Sequence, residues 1–399
     1  MTSESGAGMA PGDWSGRPVW AEIDLDALAH NVRLLAARAA PARLLAVVKA
    51  NAYGHGAVAV ARAALEAGAS GLAVICVDEG DELRRAGIEA PVYLLGYSPP
   101  AEAERVASLR LVPTVASLPV AEALSRAAVA QRTTVTVQLE LETGLHRHGA
   151  ELEPLVALAE AARKLPGISV GAIYTHFAAA EEGDQTFTRL QHERLMQAAA
   201  RLPWIPVRHC SASASILLSP DMSHELVRAG LALYGYHPSP DTATVELRRV
   251  MSLKSRLARV HHVAAGATVG YGRTWTARRP SVIGLVMCGY ADGLPRSLSS
   301  RANLLVRGRR APIAGRIAMD MCMVDLTEIP GAAAGDEVAI IGEQDGALVD
   351  ADELALLAGT ISWEILAGVS ARVPRLYLRG GRAVSVSTLN QRLPGPPGA

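Results

Sequence analysis

Between about residue 44 and residue 235 the chain alternates two kinds of segment. Short apolar, β-branched runs occur at Leu44–Val48, Gly71–Cys76, Val92–Leu95, Leu111–Val115, Thr134–Leu139, Ser169–Tyr174, Val207–Cys210 and Leu226–Ala229. Between them lie Ala-rich stretches with helical spacing, such as Ala57–Ala67 and Gln185–Arg201. Continuous apolar runs suit strands buried on both faces, and the helices supply the crossovers that parallel strands require. Eight such units in under 200 residues predict an α/β fold, a compact (β/α)8 barrel of the TIM type. A doubly wound parallel sheet is the alternative.

After residue 243 the rhythm changes. Val250–Val263, Ser281–Met287, Ala302–Val306, Met321–Leu326, Glu337–Ile341 and Arg375–Leu378 read as strands separated by turn clusters. Helical pattern is confined to Ala351–Ala358 and Ser362–Val369. The expected organisation is a flexible tail over 1–16, a barrel over 17–243, a mainly antiparallel β domain over 244–386 and a flexible tail over 387–399.

Charge and composition narrow the functional classes. Lys+Arg and Asp+Glu both number 39, which argues against nucleic acid or an anionic membrane as the main partner. No run approaches the ~18 apolar residues of a membrane span. The first residues lack the basic and apolar regions of a secretion signal. The four cysteines are far apart and form no C-x-x-C, so neither a disulfide framework nor a metal centre is expected, and a reducing cytoplasm fits. Lysine occurs only three times, as Lys49, Lys164 and Lys254. Any chemistry that needs a lysine amine has three candidates.

Barrel enzymes carry catalytic groups at the C-terminal ends of their strands. Lys49 ends the first run, within Val47-Val48-Lys49-Ala50-Asn51-Ala52-Tyr53-Gly54-His55-Gly56. An amine at the mouth of an apolar strand is partly desolvated, which favours its neutral, nucleophilic form. Carbonyl cofactors such as pyridoxal phosphate need such an amine, although a strand-end lysine can also simply reach into solvent.

This segment resembles the cofactor-lysine signature of bacterial alanine racemases. Six further stretches resemble that family in order along the chain. They are Arg17–Leu28, Tyr174-Thr175-His176-Phe177, Arg228–Gly235, Val269–Trp275, Gly289-Tyr290-Ala291-Asp292-Gly293 and Gly315-Arg316-Ile317-Ala318-Met319-Asp320. The resemblance implies a pyridoxal-phosphate enzyme with an eight-stranded barrel and a C-terminal β domain. By position, Lys49 would hold the cofactor and act as one acid/base at the substrate Cα. Tyr271, supplied by the partner subunit of a homodimer, would act on the opposite face. His209 and Arg228 match the groups linked to that tyrosine, with Arg228 facing the pyridine nitrogen. A permanent cation there makes the ring a weaker electron sink, which suits racemisation over transamination.

The resemblance assigns the cofactor phosphate to Tyr53, Ser213 and the backbone N–H groups of Gly230 and Leu231, and places His176 against the ring. Arg147 would orient the substrate carboxylate. Met319 and Asp320 would lie near the substrate, and Tyr290 and Arg296 along the access corridor. The implied reaction is interconversion of L- and D-alanine, with D-alanine feeding peptidoglycan.

Three positions depart from the family pattern. Many members carry a carbamylated lysine seven residues before the arginine, where this chain has Glu140. The shorter carboxylate is expected to support Arg147 through water or a shifted backbone, with a chloride in the gap as the competing possibility. Ala212 replaces an asparagine, and Trp363 replaces a tyrosine that touches phosphate and narrows the pocket. An indole donates one hydrogen bond and accepts none. A racemase of broader or different preference, such as serine, a basic amino-acid decarboxylase and a non-catalytic pyridoxal-phosphate carrier are the other readings.

Overall fold

A computed structural model describes residues 9, 10 and 13–389. The rest of the expected tails, 1–8, 11, 12 and 390–399, lies outside the described residues. Among the described residues two compact units emerge, one of residues 27–52 and 57–248, the other of the residues up to 26, 53–56 and 249–389. No described helix is long and apolar enough to cross a membrane.

The first unit is the expected barrel. Its eight strands follow the order Val207–His209, Ile168–Tyr174, Val135–Glu140, Leu111–Val115, Val92–Tyr97, Gly71–Val74, Arg43–Val47 and Leu226–Ala229. Every pairing is parallel. The seam between the two ends is drawn together by a bridge of Ala212 with Arg228, whose N–H donates to Ser211 O at 3.0 Å. The strands are nearly all buried, which explains their continuous apolar runs. Two polar side chains inside find partners on one carbonyl: Thr114 Oγ1 donates to Leu94 O at 2.7 Å, and Gln138 Nε2 donates to it at 3.1 Å.

The second unit is built on a mixed, mainly antiparallel sheet. Its main path runs Arg309–Pro312, Asn303–Val306, Glu337–Gln344, Met251–Val263, Val19–Asp24, Arg375–Arg379 and Arg382–Ser387. Ser281–Val286 pairs with Met251–Val263 and with Cys322–Asp325. The ribbon Thr268–Val269/Trp275–Thr276 holds the loop that bears Tyr271.

Two expectations about boundaries are corrected here. Val19–Asp24, read as the start of the barrel domain, is a central strand of this second sheet, antiparallel to Met251–Val263 and parallel to Arg375–Arg379. Five of its six residues are buried, and Trp20 packs with Leu376, Leu378 and Ala383. A strand this apolar needs neighbours on both edges and both faces. The 1–16 segment is also not wholly a free tail. Ala383 N–H donates to Met9 O at 2.9 Å, and Met9 and Trp14 pack against the Trp20 cluster.

Candidate active site

Lys49 follows the strand Arg43–Val47 by two residues, at its C-terminal end. The backbone then turns abruptly. Ala50, Asn51, Ala52 and Tyr53 all have φ between 52° and 54°, a left-handed run of four non-glycine residues. Such residues cost roughly 1–2 kcal/mol each in that region, so the surroundings must hold them there. Glu79 does part of this. Its carboxylate accepts from Ala50 N–H and from Ile75 N–H, each at 2.7 Å. Asn51 Oδ1 accepts from Ala57 N–H at 2.9 Å, at the start of the helix Ala57–Glu66.

Lys49 and Lys254 sit in opposite environments. Lys49 is pushed below its ordinary value by burial, then by the Arg147 guanidinium, with Glu79 opposing and Arg228 adding to the fall. Lys254 is raised, because Glu22 and Glu337 outweigh its burial; their carboxylates lie 3.2 and 3.1 Å from Nζ. A lysine held by two carboxylates stays a cation, whereas the surroundings of Lys49 favour its neutral amine.

Arg228 lies on the last barrel strand, Leu226–Ala229, and is fully enclosed. Its Nη1 donates to His209 Nδ1. Its Nη2 reaches His176 Nδ1 at 3.1 Å, Thr175 O at 3.0 Å and Cys210 O at 3.2 Å. None of these partners is a carboxylate. Burial, and after it the guanidinium, holds both imidazoles well below their ordinary value, so both are neutral at neutral pH. His209 is completely buried, whereas His176 keeps an exposed edge.

A second network starts at Glu140, the last residue of the strand Val135–Glu140. Tyr174 Oη donates to Glu140 Oε2 at 2.8 Å, and His148 Nδ1 lies 2.5 Å from the same oxygen. Glu140 Oε1 sits 3.6 Å from Arg147 Nη2. The two side chains thus face each other directly across that distance. The loop that carries Arg147 and His148 folds back on the strand, with Ala150 N–H donating to Glu140 O at 2.9 Å and Glu142 N–H donating to Ala150 O at 2.8 Å. Tyr174 joins the two networks. Its ring stacks on His209 with centroids 4.6 Å apart.

The barrel unit thus brings together Lys49, Glu140, Arg147, His176, His209, Ser213, Arg228, Gly230 and Leu231. Ser213 Oγ accepts from Gly230 N–H at 3.0 Å and from Ala232 N–H at 3.2 Å, so two groups assigned to phosphate are hydrogen-bonded to each other. The other unit holds the remainder. Tyr53 is buried, and burial pushes its phenol up to about 12. Tyr271 is 71% exposed, between Gly270 and Gly272, which both take positive φ. Met319 and Tyr290 are exposed, and Tyr290 lines a cleft with Pro295, Thr360 and Glu364. Asp320 accepts from Arg372 at 2.5 Å. Arg296 is exposed and Trp363 half-buried. Sequence reasoning missed Glu79, His148 and the linking role of Tyr174. Glu79 lies five residues beyond the strand Gly71–Val74, at the catalytic end, and that position was the available signal.

Known proteins match along nearly the whole chain. The family model "Alanine racemase, N-terminal domain" covers residues 23–238, and "Alanine racemase, C-terminal domain" covers residues 250–377. The alanine racemase of Desulfosudis oleivorans is 45% identical over 379 residues, 90% of this chain and 97% of its own length. That of Symbiobacterium thermophilum is 42% identical over 366 residues, covering 90% and 97%. Among solved structures, the alanine racemase of Clostridium difficile superposes with a TM-score of 0.89 at 34% identity, over 93% of this chain and 98% of that one. The enzyme from D-cycloserine-producing Streptomyces lavendulae gives 0.87 at 40% identity, over 92% and 98%. The barrel with Lys49 at its mouth, the second β unit and these matches agree: the chain belongs to the alanine racemase family.

Proposed function

We propose that this chain is an amino-acid racemase that interconverts L- and D-alanine with pyridoxal phosphate, as a homodimer with shared sites, in the cytoplasm. The observation that carries the reading is Lys49, an amine with a depressed pKa beside Arg147 and Arg228. Arg228 is buried without a carboxylate partner among its hydrogen bonds. Such a converging cationic field fits an anionic cofactor and a carboxylate substrate. When bound, pyridoxal phosphate supplies the electron sink for the charge left at Cα.

The chain's own groups do the rest. Lys49 Nζ holds the cofactor and moves a proton at one face of Cα. The hydroxyl of Tyr271, contributed by the other subunit, moves a proton at the opposite face. Its exposure and its two flanking glycines suit a residue that serves a neighbouring copy. The link from Tyr271 to Arg228 runs through His176, which has an exposed edge, and not through the enclosed His209. Arg147 pairs with the substrate carboxylate, and Glu140 with Tyr174 and His148 hold that arginine in place of a carbamate. Tyr53 and Ser213 bind the phosphate, with Gly230 N–H shared between Ser213 and the anion. Met319 and Asp320 lie near the substrate, Tyr290 and Arg296 line the corridor, and Trp363 forms a pocket wall. The D-alanine so formed suits peptidoglycan synthesis.

The test is the exchange of alanine Cα hydrogen in deuterated water with purified, cofactor-loaded protein. Deuterium gain with racemisation and no loss of CO2 supports the reading. Turnover of serine without alanine, or a coloured protein that exchanges nothing, overturns it.

A further inference from the structure

We propose a divalent-metal site on the barrel wall, formed by His192, Cys210 and His224, that takes zinc or another borderline-soft cation. His192 lies on the helix Thr186–Arg201, Cys210 just past the strand Val207–His209, and His224 two residues before the strand Leu226–Ala229. Their ligand atoms all lie within 4.8 Å of one another. The two Nε2 atoms are 2.8 Å apart, with the ring planes within 6° of parallel.

This trio is separate from the groups assigned to catalysis. His209 turns its ring to Arg228, whereas the next residue, Cys210, donates its thiol to Met222 O at 3.3 Å. Neighbouring residues on extended backbone face opposite sides, so the thiol lies on the outer wall. No C-x-x-C or H-x-x-x-H spacing announces the site, because the three ligands come from three segments.

The donor set fits the cation. Two imidazoles and a thiolate with one open position form a tetrahedral zinc environment, with Zn–N of roughly 2.0–2.1 Å and Zn–S of about 2.3 Å. Those bonds need about 3.3 Å between the two nitrogens, so the histidines open by about half an ångström. Both rings are partly exposed and can move while the backbone stays in place.

Charges of both signs surround the trio. Asp221 and Glu193 oppose Arg189 around His192, and Glu225 opposes Arg208 around His224. Burial holds the Cys210 thiol up at about 11, against the pull of Arg228. The metal therefore displaces the thiol proton to solvent. The histidine that donates in the Nε2–Nε2 hydrogen bond moves its proton to Nδ1, and both Nε2 lone pairs then face the ion. One proton is released to solvent for each metal bound.

The experiment measures bound metal on the holoenzyme. Chelator-treated protein is dialysed against micromolar zinc and analysed for zinc per subunit, and a parallel sample takes cobalt. The expected result is one zinc per subunit, lost in His192→Ala and in His224→Ala, whose partly exposed positions tolerate truncation. The cobalt difference spectrum should show thiolate-to-cobalt charge transfer that disappears in Cys210→Ser. A wild-type protein that holds no stoichiometric zinc, or histidine variants that hold as much as wild type, overturns the site.

Discussion

Glu140 Oε1 faces Arg147 Nη2 across 3.6 Å, while its other oxygen receives Tyr174 and His148. The carboxylate is enclosed and the guanidinium half-exposed, so the pair is directional: a fixed anion sets the position of a movable cation. Glu140→Gln keeps the shape and the hydrogen bond from Tyr174 but removes the charge. Because Arg147 is open to water, the loss is about 1 kcal/mol, a roughly fivefold rise in KM for alanine with kcat changed less. Steady-state kinetics in both directions reads this. An unchanged KM removes Glu140 from substrate orientation.

The electrostatics of Lys49 give a prediction with opposite signs. Its neighbours Arg147 and Arg228 lower its pKa, and Glu79 raises it. Arg147→Gln therefore moves the Lys49 titration up, and Glu79→Gln moves it further down. Lys254 should titrate above its ordinary value throughout, since its two carboxylates are untouched. With three lysines in the chain, the signals of 13C-labelled lysine in cofactor-free protein are few enough to assign. Shifts of the same sign in the two variants would show that charge is not what tunes the amine.

Tyr271 and Lys49 act on opposite faces in the proposed reaction, so their variants should fail asymmetrically. Tyr271→Phe leaves the packing of an exposed ring intact and removes only the hydroxyl. Racemisation should fall by about 10²–10⁴-fold, the usual worth of a positioned acid/base. One alanine enantiomer should still exchange its Cα hydrogen with solvent, because Lys49 remains. NMR of each enantiomer in deuterated water distinguishes this from uniform loss, which would place Tyr271 outside the proton path.

Local pattern carried most of the barrel. The strands Leu111–Val115 and Leu226–Ala229 have the expected boundaries, and the others shift by one or two residues at one or both ends. Parallel barrel strands are announced by their own apolar runs. Local pattern does not reveal where Val19–Asp24 belongs, because its partners near Met251 and Arg375 are distant in sequence and its adjacency to the barrel is only along the chain. The site shows the same division. Lys49 and Arg228 stand at strand ends and could be placed by position. The contact of Glu140 with His148 depends on how one loop folds back, and the left-handed run after Lys49 depends on Glu79, which accepts from a residue 29 positions earlier.

That left-handed run leads into the last prediction. Gly54 follows it with φ of 82°, and its carbonyl accepts from both Nε and Nη2 of Arg375, at 3.1 and 2.9 Å. The same guanidinium donates to Val369 O, Ser370 O and Val373 O at 2.8, 2.7 and 2.6 Å. Arg375 is 2% exposed, so each of these bonds is made away from water. A lysine keeps the charge but offers a single ammonium in place of a planar fork, and leaves several buried carbonyls without donors. Arg375→Lys should therefore lower unfolding free energy by about 2–4 kcal/mol. Gly54→Ala should be as damaging for a different reason, since its Cβ would lie 2.2 Å from Leu366 O at a φ that disfavours side chains. Urea unfolding followed by fluorescence measures both. A loss below about 0.5 kcal/mol for Arg375→Lys, the usual range for a surface substitution, would show that the guanidinium does not hold the segment beside Tyr53.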